Sequence, residues 1–339
     1  MSTFLFLSFV LNFVFLNIII SSYELNHSTA NDNITINISR EINFVKKREI
    51  LVNKWGNWTL PIKYYISSKY MLYSENIQNA LNNIQNLTCL NFTKADKLDP
   101  GEEGLKFVHD YGICGSYVGK SSYSFPHVVY LTTGCSETIG SIQHEIFHAL
   151  GVQHTHSRSD RDKYIEIKKE NFLEYEDFEE NILEKNNKNN YKSYNTLYDF
   201  NSILHYKNDA WSKNGKKTIV AKSIKLYDNM MGQREKLSFM DVKLINGYYC
   251  SDKCKENVIK CKNGGYKHWS NCNICVCPKG YVGNTCNSVE PLDRECSNIN
   301  LKAQNFYKKI HVTGIKKCNF LIKATGNKKI LLVFTVVYS

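Results

Sequence analysis

The stretch that decides the fold runs His144-Glu145-Ile146-Phe147-His148-Ala149-Leu150-Gly151-Val152-Gln153-His154. Residues four apart lie on one face of a helix, so His144 and His148 can direct their imidazoles at one ion, with Glu145 beside it. Gly151 can take the left-handed backbone conformation that ends a helix, which lets His154 approach the same ion from a loop. The pattern therefore predicts three metal ligands.

Three imidazoles and one water molecule suit zinc, because zinc accepts a low coordination number and acidifies the water that it holds. Glu145 would be the base that accepts the proton from this water. A helix with hydrogen-bonded core or surface histidines is the alternative. The chain has only 10 histidines, and chance would place three of them with Glu145 and Gly151 at these intervals in roughly one such chain in ten thousand.

Two further stretches extend the pattern beyond the helix. The HExxHxxGxxH spacing resembles the signature of the metzincin metalloproteases, and residues 156–162, His-Ser-Arg-Ser-Asp-Arg-Asp, are similar to the HxRxDRD continuation of the astacin family. Residues 198–206 resemble that family's SxMHY turn. The resemblance implies an α+β fold, with a two-lobed astacin-like catalytic domain around a zinc cleft.

The resemblance also implies a role for Tyr206, which takes the place of the family's tyrosine ligand. Its phenol would reach the zinc in the resting enzyme and donate a hydrogen bond to the oxyanion during attack. A buried aromatic is the alternative. Two positions depart from the family pattern. Thr155 stands where most astacins have the glutamate that fixes the newly cut N-terminus, and Leu204 replaces the turn methionine, at a cost in packing of less than about 1.5 kcal/mol.

The N-terminal region is predicted to be removed in two steps. Residues 1–22 carry no charged side chain and read as a secretory signal peptide, with an uncleaved signal-anchor as the alternative. Residues 23–48 are polar and rich in asparagine, without a core-forming pattern, and read as a pro-segment. They end in Lys46-Lys47-Arg48, a cluster of the kind that proprotein convertases cut, although a solvated charge run would look the same. The family's FxGD-type inhibitory motif is absent, so the sequence does not explain latency.

Composition agrees with secretion. The chain has 339 residues and 12 cysteines, an even number that allows every cysteine to pair in an oxidising compartment. Glycosylation sequons begin at Asn26, Asn33, Asn37, Asn57, Asn86 and Asn91. The net charge is +11, but the lysines are interspersed with asparagines, so nucleic-acid binding is not indicated.

Residues 49–250 are predicted to form the catalytic domain. Strands are predicted at 60–66, 105–109 and 128–131, from their β-branched and aromatic residues. The resemblance makes the last of these the sheet edge that binds an extended peptide. An amphipathic helix is predicted to follow a cap at Ser74, and a C-terminal helix to start at Ser238.

Two smaller regions are predicted to follow. Residues 251–287, with Cys254, Cys261, Cys272, Cys275, Cys277, Cys286 and a CxCPxGYxG ending, resemble an EGF-like module; a structural zinc site is the alternative. Residues 288–339, with Cys296 and Cys318, are similar to the opening of a CUB domain. This CUB-like β segment is incomplete, so either the chain is truncated or the segment packs on something else. Residues 333–338 would otherwise form an exposed, aggregating edge.

The resemblance also implies the disulfide pairing. Cys89 would pair with Cys250, as astacin domains join their halves, and Cys114 with Cys135, which bracket the strand at 128–131. The EGF-like order pairs the first cysteine with the third, the second with the fourth and the fifth with the sixth. These pairs are Cys254–Cys272, Cys261–Cys275 and Cys277–Cys286. Cys296 and Cys318 are also expected to form a disulfide.

The sequence therefore predicts a secreted zinc endopeptidase that acts on extracellular proteins or peptides, activated by a proprotein convertase and without stable membrane insertion once the signal is removed. The alternative is a catalytically weakened secreted binding protein that uses its EGF-like and CUB-like modules to hold a partner. Thr155, Leu204 and the absent inhibitory motif favour that alternative.

Overall fold

The computed structural model describes all residues except 1–2, 11–14, 24–34, 39–48, 53–55, 68–72, 121–124, 174–182, 188, 257, 291–299, 305, 307, 313–316, 325–328 and 338–339. The chain divides into two compact units. One comprises residues 44–255, and the other comprises residues 1–43 together with 256–339. Among the described residues, no helix is both long enough and apolar enough to cross a membrane.

The strands in chain order are β1 (Thr3–Val10), β2 (Phe15–Tyr23), β3 (Thr35–Ile38), β4 (Ile50–Leu51), β5 (Ile62–Ile66), β6 (Phe92–Lys94), β7 (Leu105–His109), β8 (Gly115–Ser116), β9 (His127–Leu131), β10 (Ile165–Ile167), β11 (Tyr191–Lys192), β12 (Ile219–Ala221), β13 (Tyr266–Lys267), β14 (Cys275–Val276), β15 (Tyr281–Val282), β16 (Ser288–Val289), β17 (Asn300–Lys302), β18 (Lys308–Val312), β19 (Lys317–Ala324) and β20 (Lys329–Val337). The α-helices are α1 (Ser74–Leu87), α2 (Thr133–Ser136), α3 (Ile139–Ala149) and α4 (Phe239–Tyr249). Short 3-10 helices lie at Thr155–Ser157, Arg161–Lys163, Lys169–Asn171 and Lys225–Met230.

A five-stranded sheet forms the centre of the 44–255 unit. Its strand order is β6-β5-β7-β9-β8. The first four strands are parallel, while β8 runs antiparallel to β9. Alternate residues of β5 and β9 are buried, as period-two side chains require when one face of a sheet covers a core. The three predicted strands are therefore present.

The prediction of the sheet edge was wrong. Strand β9 lies inside the sheet, and the two-residue strand β8 occupies the edge beside it, pairing Gly115 with Tyr130 and Ser116 with Val129. The disulfide bond between Cys114 and Cys135 joins the residue before β8 to helix α2, which follows β9. Glycine and serine have little strand propensity, so sequence pattern alone did not reveal β8.

Helices α1 and α3 share the main hydrophobic core with this sheet. The predicted apolar face of α1 is buried at Ile77, Ala80, Leu81 and Ile84. Ser74 was predicted as its cap, but Ser74 is the first helical residue, and the preceding Tyr73 makes no side-chain capping bond. At the start of α4, the Ser238 hydroxyl accepts a hydrogen bond from the Asp241 backbone N–H, and the Asp241 carboxylate accepts one from the Ser238 backbone N–H. The predicted helix start is therefore confirmed, and it forms a capping box.

A second, separate core lies later in the same unit. It includes Ile165 from β10, Ile219 from β12 and Phe200, with Tyr206 packed against it. The antiparallel pair of β10 and β12 supports this cluster. Both cores lie within the 44–255 unit, and the main core also includes Leu244 and Ile245 of α4.

Disulfide bonds join distant parts of the chain. Cys89–Cys250, Cys114–Cys135, Cys261–Cys275 and Cys277–Cys286 are bonded as expected. Cys254 and Cys272 are also disulfide-bonded, and their pairing with each other stays a prediction. The expected Cys296–Cys318 pair includes Cys296, which lies outside the described residues.

In the other unit, strands from the two ends of the chain pair. Strand β1 pairs with β19, and β20 lies between β2 and β3. Strand β2 pairs with all of β20, whereas β3 pairs only with Ile330–Val333. Of the segment expected to form an exposed edge, residues 334–337 are therefore paired on one side. The segment predicted as EGF-like contains the ribbon of β13 with β14, and its strand β15 pairs with β16, which lies just beyond residue 287. Removal of residues 1–22 and the module boundaries stay predictions.

The long disulfide should stabilise the 44–255 unit more than the short one. Replacing both Cys89 and Cys250 with alanine opens a loop of 161 residues, for which the chain-entropy model gives a loss of about 5 kcal/mol in unfolding free energy. The matched Cys114→Ala/Cys135→Ala variant opens 21 residues and should lose about 3 kcal/mol. Urea unfolding of both variants checks the order, and a larger loss at the shorter loop would contradict the assignment.

Stability should also fall in acid because of His127. This residue is buried in β9, its Nε2 lies 2.9 Å from the Ser116 hydroxyl oxygen, and burial lowers its pKa to about 4. The unfolded value is about 6.5, so the folded state binds the proton less well than the unfolded chain. The His127 contribution is complete above pH 6.5 and is lost as the pH falls from about 6.5 to about 4, by at most about 1.4 kcal/mol per pH unit.

The measurement is the unfolding free energy across this window, for apoprotein in chelator so that metal loss does not contribute. His127→Gln keeps a polar side chain but removes the titration, so its stability should decline less steeply than that of the wild type. Equal slopes for the two proteins would refute the assignment.

Candidate metal centre

The three predicted histidines converge. The Nε2 atom of His148 lies 3.1 Å from that of His144 and 3.1 Å from that of His154. His144 and His148 are buried on one face of α3, and His154 comes from the loop beyond Gly151. Among the described residues, these three form the group of side chains that could hold a metal ion.

The chemistry of this donor set fits zinc. The Nδ1 atoms of His144 and His148 lie 2.7 Å from the Ile203 carbonyl and 2.8 Å from the Val152 carbonyl. A carbonyl only accepts hydrogen bonds, so each Nδ1 carries the proton and each Nε2 presents a lone pair to the centre. Burial lowers the pKa of His148 to about 4 and those of His144 and His154 well below the usual value. Neutral imidazoles are the form that binds zinc.

The end of α3 is held by partners from several parts of the chain. Gly151 has φ of +99°, the left-handed conformation that turns the chain toward His154. The Ala149 carbonyl accepts a hydrogen bond from the Trp58 indole at 3.0 Å, and the Leu150 carbonyl accepts one from the Tyr249 hydroxyl at 2.8 Å. The last carbonyls of the helix are thus satisfied although they are buried.

The turn beneath the histidines is fixed by one carboxylate. Asp241 accepts hydrogen bonds from the Ser202 hydroxyl at 2.7 Å and the Ile203 backbone N–H at 3.1 Å. The same residue completes the capping box of α4. Leu204, in the place of the methionine, is fully buried in the main core. Asp241 therefore fixes the turn that carries the Ile203 carbonyl, which in turn orients His144.

Glu145 lies beside the histidines with only 7% of its surface exposed. Burial raises the pKa of its carboxyl to about 7, and the nearby Arg234 guanidinium opposes this rise. The guanidinium is itself held by the carbonyls of His205 at 3.2 Å and Gln233 at 2.8 Å. A carboxyl with this pKa can take up and release a proton near neutral pH.

Tyr206 lies against the third histidine. Its ring centroid is 4.4 Å from that of His154 and 4.1 Å from that of His156, on which it stacks. Burial raises the pKa of its phenol, and the Trp211 side chain hydrogen-bonds the hydroxyl. The phenol therefore stays protonated at neutral pH and can donate a hydrogen bond.

Comparison with known proteins decides the family. The family model described as Astacin, a family of peptidases, matches residues 50–250. The chain belongs to the astacin family.

Two nematode proteins illustrate the relationship. The zinc metalloproteinase nas-34 of Caenorhabditis elegans is 32% identical over 280 residues, which cover 82% of this chain and 45% of that protein. The zinc metalloproteinase nas-23 of the same organism is 36% identical over 229 residues, which cover 65% of this chain and 42% of that protein. The chain thus spans less than half the length of these two relatives.

A solved astacin-like structure also matches. It is High choriolytic enzyme 1, a hatching enzyme zinc-protease from Oryzias latipes, with 30% sequence identity and a TM-score of 0.47. The match covers 62% of this chain and 97% of that chain.

Three residues of this astacin site escaped the sequence analysis. His156 belongs to a recognised motif but had no predicted role, and Arg234 lies in a segment without a recognised pattern. Trp211 was missed as well. Its backbone φ of 60° lies in the left-handed region, where strain commonly marks a functional site, but only the structure reveals this angle. His156 and Trp211 contact Tyr206, and Arg234 lowers the pKa of Glu145 electrostatically. Interactions between residues far apart in sequence leave no local pattern.

Gly140 in α3 tests how tightly the segment bearing Arg234 packs on this helix. A Cβ atom at position 140 would lie 1.9 Å from the Arg234 carbonyl oxygen. Gly140→Ala should therefore lower the unfolding free energy by about 1–3 kcal/mol through overpacking. Gly134→Ala is the matched control, because nothing lies within 4 Å of its Cβ position. Thermal unfolding measures both, and equal stability of the two variants would show that the packing is looser.

Proposed function

We propose that the protein is a secreted zinc-dependent endopeptidase that hydrolyses peptide bonds of extracellular proteins. The proposal rests on three imidazoles that converge beside the buried carboxyl of Glu145. The Nε2 atom of His148 lies 3.1 Å from the Nε2 atoms of both His144 and His154. Membership of the astacin peptidase family supports the same reaction.

His144, His148 and His154 would hold the zinc ion through Nε2. When bound, zinc supplies a Lewis acid that polarises a peptide carbonyl and lowers the pKa of water. The hydrogen bonds from the Nδ1 atoms to the Ile203 and Val152 carbonyls fix the ring planes, so the lone pairs stay directed at one point.

Glu145 would move the proton. Its carboxylate accepts a proton from the attacking water and then delivers it to the nitrogen of the departing amine. The pKa of about 7 that burial gives this carboxyl suits both transfers near neutral pH. Arg234 lies close enough to limit the rise in pKa, which keeps a useful fraction of Glu145 ionised.

Tyr206 would stabilise the oxyanion that forms on the substrate carbonyl. Its protonated hydroxyl donates the hydrogen bond, and the stacked His156 ring limits where the phenol can lie. The hydrogen bond with Trp211 gives the hydroxyl a partner in the absence of substrate.

An extended substrate would pair with the outer side of β8, the edge of the central sheet. Main-chain hydrogen bonding at a sheet edge binds peptides largely independently of their sequence. This suits an enzyme that acts on proteins rather than on one small molecule.

The route to this activity is also proposed from the sequence. A signal peptide at 1–22 would direct secretion, and a proprotein convertase would release the pro-segment 23–48. Asn57, Asn86 and Asn91 are exposed, as glycosylation requires, whereas Asn26 and Asn33 lie outside the described residues. Residues 251–287 and 288–339 would act as EGF-like and CUB-like modules.

Glu145→Ala is the decisive variant. In protein cut after Arg48, it should lower the hydrolysis of casein by about 10²–10⁴-fold, because the proton acceptor is lost, while the zinc content stays equal to that of the wild type. Glu166→Ala removes an exposed carboxylate of the same domain and should change neither. A chelator should abolish wild-type activity.

The binding-protein alternative predicts a different result. The endopeptidase proposal fails if wild-type protein that is correctly cut and loaded with zinc hydrolyses neither casein nor a peptide library. The binding-protein hypothesis would then be favoured. If the wild type contains no zinc, the metal site itself is refuted.

A further inference from the structure

The residues just after the predicted cleavage point form a short strap, Glu49–Val52, that packs on the loop carrying His154. Strand β4 pairs antiparallel with β11 on one side. On the other side Ile50 forms a bridge with Val152, and the Leu51 N–H donates to the Gly151 carbonyl at 2.9 Å. The Val52 N–H donates to the Asn190 carbonyl at 2.8 Å. The strap is therefore held between two parts of the same unit.

One of these parts is the loop that brings in the third histidine. Residues 151–152 lie between α3 and His154, and the Val152 carbonyl orients His148. Ile50 is fully buried, and its Cγ1 lies 3.4 Å from the point where a Cβ on Gly151 would be. The strap thus packs directly on the turn between the second and the third histidine.

Glu49 ties the start of the strap to the far end of the same loop. Its carboxylate is 3% exposed and accepts hydrogen bonds from the Ser159 backbone N–H at 3.2 Å and from the Ser159 hydroxyl. A buried carboxylate is stable only when donors of this kind satisfy it. The loop from residue 150 to 159 is consequently fastened near both ends, with His154 between the two fastenings.

The other contacts of the loop do not replace this one. Thr155 is buried and bonded through its backbone to the Leu204 carbonyl, but it carries no carboxylate. Gln153 accepts a hydrogen bond from the His154 backbone at 2.9 Å and reaches the Tyr191 hydroxyl in β11. These contacts hold the middle of the loop. Near its end the Ser157 carbonyl accepts a hydrogen bond from the Asn186 N–H at 2.7 Å, and Glu49 adds a side-chain restraint at Ser159.

We propose that Glu49 is a positioning residue for the metal site, whose bond to Ser159 fastens the strap across the 150–159 loop and holds His154 against His148. The inference rests on the proposed zinc site. The bond uses the side chain of Glu49, so it does not require a free amino group at position 49.

The test compares zinc release to a chelator from the full chain. Glu49→Gln and Ser159→Ala should each release zinc about tenfold faster than the wild type, the loss typical of residues that support metal ligands. The double variant should release it no more than about twofold faster than either single variant, because both changes remove one contact. Glu102→Gln, a surface carboxylate paired with Lys63, is the matched control and should behave as the wild type.

A second readout separates positioning from general stability. Zinc should raise the melting temperature of Glu49→Gln less than it raises that of the wild type, because the variant binds the metal more weakly. A purely structural role would lower the apoprotein and zinc-bound melting temperatures equally. If Glu49→Gln does not fold, Ser159→Ala carries the same expectation.

Release rates of both single variants within about twofold of the wild type, or losses that multiply in the double variant, would overturn the inference. An equal zinc-dependent rise in melting temperature for the variant and the wild type would do the same. A wild type without zinc would refute the proposed function instead, so the two failures are distinguishable.

Discussion

The structure depends on keeping three neutral imidazole nitrogens directed at one point inside the protein. Nitrogens with lone pairs 3.1 Å apart repel one another unless a cation lies between them. Burial favours the neutral rings, and the carbonyls of Ile203 and Val152 fix the orientation of two of them. The surrounding fold serves to hold those carbonyls in place.

The two carbonyls are controlled from different regions. Asp241, at the start of α4, fixes the turn that carries Ile203. Helix α4 ends at Cys250, whose disulfide bond to Cys89 joins it to the chain just after α1. The Val152 carbonyl belongs to the loop that β4 covers. The geometry of the site is therefore determined by elements that extend from β4, near the start of the unit, to α4, near its end.

The pKa values of Glu145 and Tyr206 follow from the same burial. Removal from water raises the pKa of Glu145 to about 7, whereas Arg234 limits that rise. Tyr206 keeps its proton for the same reason and stacks on His156. A proton acceptor and a hydrogen-bond donor thus lie near each other, with their protonation states set by their surroundings rather than by their identity alone.

The sequence by itself determined the helix that carries two of the three converging histidines, because the spacing of His144, His148 and His154 around Gly151 is a local property of backbone periodicity. It also determined the buried face of α1 and the capping box at Ser238, which again depend on neighbours along the chain. Only the tertiary structure decided that β8 is the sheet edge, that the terminal strands pair, and that Glu49 meets Ser159. Those contacts join residues far apart in sequence, so their energies depend on packing that no local pattern records.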